Sequence, residues 1–161
     1  MKMKSFKVIN VIIASIILAG CTSVPITLNY SPSSTMSVNG SLEVDSFKYL
    51  PSENNSIIKS NQIRNTGMGD VILDKNVNEY FEAALLVESR FVGIKINQSP
   101  NKVSGEITEF LIDDLGYSID WTLEVKYIIT QQSGNECYNK THKIEKKSDK
   151  FVNAFATLNE V

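Results

Sequence analysis

The chain is poor in the residues that carry chemistry. Among 161 residues there is one histidine, one tryptophan and two cysteines. A lone His142 with no Cys, His or Asp at ligand spacing gives no metal-site pattern, and it reads as a solvated surface residue in a Lys-rich strand. No Gly-x-Ser-x-Gly, no phosphate-binding Gly-rich loop and no dinucleotide fingerprint occurs. Carboxylates occur in pairs, Glu106 with Glu109 and Asp113 with Asp114. They lie along one strand and its turn, not across a cleft as glycoside hydrolysis needs. These gaps predict a protein that is not an enzyme and needs no cofactor. Strong basic charge is missing too. The formal net charge is −2, which removes the electrostatic footprint of a nucleic-acid binder. Also absent is an apolar run of the roughly 18 residues a membrane-spanning helix needs.

What is present is concentrated at the start. Lys2, Lys4 and Lys7 precede an apolar run of about a dozen residues, Val8 to Ala19, which stops at Gly20-Cys21. A basic head, a short apolar middle and a small-residue exit make a secretory signal peptide. The ending Leu18-Ala19-Gly20-Cys21 resembles the lipobox of bacterial lipoproteins. That resemblance implies cleavage between Gly20 and Cys21, lipidation of Cys21, and a mature protein held to a membrane by acyl chains. Without residues 1–20 the chain loses three lysines and no acid, so the mature part carries −5. Lipidation would leave Cys137 with no partner in the chain for a disulfide. Thr22 follows the cysteine. Among lipoproteins of enteric-type bacteria an Asp there resembles an inner-membrane retention signal. Its absence implies the inner leaflet of the outer membrane, facing the periplasm.

Residues 21–40 are rich in Ser, Thr, Pro and Asn and show no helical period. They read as a lipidated N-terminus and flexible tether, although Ile26, Leu28 and Tyr30 alternate as a short docked strand would. Residues 41–161 read as one domain. Ser41–Leu50 is a strand whose apolar parity switches near Asp45-Ser46, the mark of a bulge. Pro51–Asn55 reads as a turn, and Ile57, Ile58 and Ile63 suggest a short strand or hairpin. Asp74–Arg90 is the best helix, with Val77, Phe81, Ala84, Leu85 and Glu88 on one stripe and Asp74 as the expected N-cap. Phe91–Ile96 and Lys102–Ile112 are strands, the second again changing phase midway. In Ser118–Thr130, Ile119, Trp121, Leu123, Val125, Tyr127 and Ile129 share one face, giving a strand with one dry and one wet side. Glu136–Lys146 returns as a polar edge strand. Ser148–Val161 repeats apolar residues at helical spacing.

This order predicts an α+β two-layer sandwich, a mostly antiparallel sheet with two helices packed on one face. The strand–helix–strand unit could add a parallel pair. The basic residues Lys140, Lys143, Lys146, Lys147 and Lys150 form a candidate contact for anionic lipid or lipopolysaccharide phosphate, against the plainer reading of a solvated edge.

The lipobox, Val44-Asp45-Ser46, Gly67 and Gly69, the helix from Asn76 to Leu85, and Val103-Ser104-Gly105-Glu106-Ile107-Thr108-Glu109-Phe110 together resemble the YajG-type family of uncharacterised bacterial lipoproteins. More distantly they are similar to auxiliary lipoproteins of envelope transporters. The resemblance implies an outer-membrane α+β domain without known catalysis and supplies no catalytic residues. Members usually carry a full C-terminal helix, which here would be cut short after Val161. Two functions follow as expectations: an accessory or assembly subunit of a cell-envelope complex with a protein partner, or a lipid- or glycan-binding module using the space between sheet and helices.

Overall fold

The computed structural model describes residues 25–67, 69–96 and 99–150. Along the chain these form β1 (Gly40–Tyr49), α1 (Leu50–Asn54), β2 (Gln62–Asn65), β3 (Val71–Ile72), α2 (Val77–Phe91), β4 (Ile94–Ile96), β5 (Lys102–Asp113), β6 (Ser118–Thr130) and β7 (Glu136–Asp149). The expected signal peptide, Cys21 and most of the expected C-terminal helix lie outside the described residues. Of that expected helix, Ser148 and Asp149 instead finish β7, paired with Ile119 and Ser118.

The fold is α+β, as expected, but the sheet is mixed and not mostly antiparallel. Strand β1 lies between β4 and β5 and is parallel to both. Strand β2 is parallel to β5 and antiparallel to β3. Only β5, β6 and β7 form the expected antiparallel meander. The physical reason lies in the connections. The chain from β1 to β4 includes a whole helix, long enough to return it to the other end of the sheet, which a parallel pair requires.

One edge of β5 serves two partners in succession. Its first half, Lys102–Ile107, pairs with β1, and Leu111–Ile112 pairs with β2. Between them the chain leaves the sheet as α1, where a turn was expected. Pro51 sits in the first turn of α1 and is buried. That position tolerates proline because its missing N–H has no intrahelical partner there. Both phase changes seen in the sequence are register shifts, between Val44 and Phe47 in β1 and between Ile107 and Glu109 in β5. Each extra residue lets the strand keep its large side chains on the dry face after a twist.

The core lies on that face, where Phe47, Tyr49, Ile63, Leu73, Ile107, Ile112, Trp121 and Val125 are all buried. Helix α2 packs against it through Phe81, whose ring centroid is 4.9 Å from that of Phe47 and 5.9 Å from that of Tyr127. Its N-cap is Asn76, which makes no capping side-chain bond. Asp74, the expected cap, is used elsewhere. The helix ends at Val92-Gly93, where Gly93 takes φ +95°, a conformation open to glycine because it lacks Cβ.

Residues 25–38, expected as a flexible tether with a short docked strand at Ile26, Leu28 and Tyr30 as the alternative, lie against the domain. The N–H of Ile26 donates to the Ile72 carbonyl, and that of Asp74 to the Ile26 carbonyl. The Leu28 N–H reaches the Tyr80 hydroxyl, the Tyr30 hydroxyl reaches Glu88, and the Val38 N–H reaches the Val92 carbonyl. The segment is a strap laid along α2 from its first turn to its last. A Cβ on Gly93 would stand 2.7 Å from the Val38 carbonyl oxygen, so that glycine serves the strap as well as the helix end.

Candidate functional site

Strap, helix and sheet enclose an apolar cleft of about 270 Å³. Leu28 and Tyr30 come from the strap, Phe81, Ala84 and Leu85 from α2, and Leu123, Tyr127 and Ile144 from the sheet. The helical stripe read from sequence therefore faces the cleft and the core together. Leu28 and Tyr30 were legible only as a short alternation within a linker-like composition. Leu28 is half-buried and Tyr30 partly exposed, and their placement depends on Tyr80 and Glu88, some fifty residues away in sequence.

Glu88 closes one end of the cleft. Its carboxylate accepts from the Tyr30 hydroxyl at 2.7 Å and from the Ser34 N–H at 3.0 Å. Burial and this carboxylate push the Tyr30 phenol up to about 12. Asp74 stands near the first turn of α2, and its carboxyl is held below the usual carboxylate range, chiefly by the hydroxyl of Tyr80 and also by Thr27. Asp74 thus has a helix partner and a strap partner that favour its charged form. Beside the cleft, Tyr138, Lys140 and His142 project from β7 on the same side as Tyr127. Tyr138 stacks on His142 with 6° between planes, and the Tyr138 oxygen is 2.6 Å from His142 Nε2. His142 also stands edge-on to Tyr127, centroids 5.8 Å apart.

The five candidate lysines do not come together as one patch. Side chains alternate across a strand. Lys140 and Lys146, opposite Tyr127 and Trp121, share the helix side of the sheet. Lys143 and Lys147 occupy the other side. Lys143 pairs with Glu145 at 2.6 Å and lies opposite Glu124, and Glu145 first of all holds its pKa above the ordinary lysine value. Lys147 is 3.6 Å from Asp120. The ammonium of Lys150 donates to the Asp114 and Gly116 carbonyls. Periodicity gave the strand, but only the register shows that Lys143 and Lys147 stand across from acids while Lys140 and Lys146 stand across from aromatic rings.

The paired carboxylates are engaged along the sheet. Glu106 is 3.4 Å from Lys126. The Thr66 hydroxyl is 2.9 Å from a carboxylate oxygen of each of Asp113 and Asp114. Among the described residues, no three His, Cys, Asp or Glu converge as a metal site. Cys137 is exposed, its sulfur 3.5 Å from the Ile129 carbonyl. Among the described residues no helix is long and apolar enough to cross a membrane.

No protein-family model matches the sequence, and no curated protein matches it. Solved structures do. Protein XCC0632 from Xanthomonas campestris, described under the family model DUF330, superposes with a TM-score of 0.61 at 14% identity, covering 78% of each chain. The hypothetical protein CT253 from Chlamydia trachomatis gives 0.48 at 7% identity over 68% of this chain and 73% of its own. Lipoprotein GNA1162 from Neisseria meningitidis gives 0.45 at 10% identity over 68% and 84%. At such identities the first likeness concerns the fold, and the chain shares the α+β architecture of the Xanthomonas protein.

Proposed function

We propose that the chain is a bacterial lipoprotein, cleaved before Cys21 and acylated there, which serves without catalysis as an accessory or assembly subunit of a cell-envelope complex. In this reading it is of the YajG type and is anchored in the inner leaflet of the outer membrane, facing the periplasm. The observation that carries the subunit role is β7. It is fourteen residues long, it has a strand neighbour on one side only among the described residues, and most of it is exposed. Such an edge is a template for strand addition by a partner. Four lysines along it discourage two copies from pairing edge to edge, which favours a different chain.

The test is site-specific photo-crosslinking in the native host. A crosslinker at Thr141 on β7 should trap one protein in stoichiometric yield, and one at Val87 on the exposed side of α2 should trap none. Loss of the Thr141 product in Cys21→Ser would tie the contact to the anchor. Equal, diffuse crosslinking at both positions would refute the edge as the partner site. Globomycin should leave a larger precursor, and intact mass of the mature protein should begin at Cys21 with acyl mass. The cleft favours a second reading, a module that holds a lipid chain. It is apolar and close to the roughly 300 Å³ lower bound of small-ligand pockets. Lipid released stoichiometrically from the purified protein, and lost in Ala84→Phe, would support it.

A further inference from the structure

The direction of the strap decides which end of the domain faces the membrane. Strand β2 runs parallel to β5, and β3 runs antiparallel to β2. Ile26 bridges Leu73, just after β3, in the parallel sense. The strap therefore runs antiparallel to β5. It enters from the end of the sheet where β5 finishes and leaves along α2 toward the opposite end. Pro25, at the entry, is four residues from Cys21. Four residues span at most about 14 Å in any conformation. The β5 edge of the sheet is three strand spacings from the strap, again about 14 Å. Pro25 lies about four residues short of the level at which β5 ends, so a chain continuing along the strap would bring an acyl anchor on Cys21 level with that end.

The turn joining β5 to β6 projects from the same end, and it is apolar at its tip. Tyr117 is 99% exposed and Leu115 75%, two of the three most exposed large apolar side chains among the described residues. The turn is braced from behind. The Asp114 N–H donates to the Thr66 hydroxyl, and the Leu115 N–H to the Asp113 carboxylate. Lys150 is fastened to its carbonyls. A turn already ordered presents its side chains at little entropic cost. A tyrosine, a leucine and a lysine at one tip suit the headgroup region, where amphipathic rings and long cationic stems settle.

We propose that this end is the membrane-contact face of the domain, with Leu115 and Tyr117 seated among lipid headgroups. The proposal rests on acylation of Cys21. The contact is apolar in origin, because Asp113 and Asp114 in the same turn offset the charge of Lys150. It should therefore change little with salt.

The experiment uses mature acylated protein in vesicles of phosphatidylethanolamine and phosphatidylglycerol, with Tyr117→Trp as reporter. Phe91→Trp, at the far end of α2, is the control, and the emission of the buried native Trp121 is subtracted using the parent protein. In Tyr117→Trp the added indole emission should shift to the blue and be lost to quenching by brominated lipids, equally at low and high salt. In Phe91→Trp the added emission should stay that of a water-exposed indole. If the Tyr117→Trp variant is acylated and vesicle-bound but its reporter remains water-exposed, or is shielded without lipid quenching, the orientation is overturned. A protein without acyl mass that leaves the vesicles overturns the anchor, and the orientation with it.

Discussion

Gly105 is the position at which one methyl group should do the most damage. It lies mid-sheet, opposite Phe47 of β1 and Tyr127 of β6. A Cβ there would be 2.2 Å from the Lys126 carbonyl oxygen and 2.6 Å from a carbon of the Phe47 ring. Neither neighbour yields easily. The carbonyl belongs to the backbone of β6, and the ring is locked against Phe81 and Tyr127. Overpacking of a core costs about 1–3 kcal/mol, and a backbone clash belongs at the top of that range. Alanine recovers roughly 0.5–1 kcal/mol of chain entropy. Gly105→Ala should therefore lose about 2–3 kcal/mol, and at roughly 4 °C per kcal/mol for a domain of this size Tm should fall by about 8–12 °C. The same change at Gly40 meets nothing within 4 Å, so it should be neutral or slightly stabilising. Thermal and urea unfolding of the Cys21→Ser protein, followed by circular dichroism, measures both. Phe47→Leu in the Gly105→Ala background should relieve only part of the loss, since the carbonyl clash stays. A Gly105→Ala variant within about 1 kcal/mol of its parent would show that the sheet is looser here than these distances allow.

Burial holds the Tyr49 phenol up at about 12 against an ordinary 10. The folded state keeps the neutral form, so this contribution is complete below pH about 10 and is lost as pH rises toward about 12. Two units correspond to about 2–3 kcal/mol. Tyr49→Phe, which also gives up a bond to the Gln62 carbonyl, should flatten the alkaline arm of the stability profile measured by urea unfolding; an unchanged arm would refute the assignment. Glu88→Ala removes the acceptor for Tyr30 and Ser34. It should speed hydrogen exchange at Ser34 by about tenfold with a loss near 1 kcal/mol, whereas exchange confined to the parent rate would mean the strap is held by its apolar contacts alone.

The readable parts of this sequence were those in which one periodicity decides the structure. The six alternating residues from Ile119 to Ile129 gave β6. The spacing of Val77, Phe81, Ala84 and Leu85 gave α2, and the phase slips at Asp45-Ser46 and between Ile107 and Phe110 gave the two bulges. Partners and directions were not readable, because an alternating strand looks the same whether its neighbour runs with it or against it. The strand–helix–strand unit allowed a parallel pair, but that β1 runs parallel to both its neighbours, β4 and β5, was not readable for that reason. Of the strap only the alternation of Ile26, Leu28 and Tyr30 was readable, because Ser, Thr and Pro suit a solvated linker equally well; what fixes it is Tyr80 and Glu88, far along the chain on α2. The cleft inherits both problems, with its helical wall visible and its strap wall hidden.

With Cys21 acylated as proposed, the strap would also determine how load passes from the anchor into the fold. Tension on the chain ahead of Pro25 acts along the strand direction of Ile26, so its bonds to Ile72 and Asp74 are strained side by side and must give way together. Peeling one bond at a time would need a sideways pull. A tug from the membrane should therefore be borne by the body of the domain before the strap lets go.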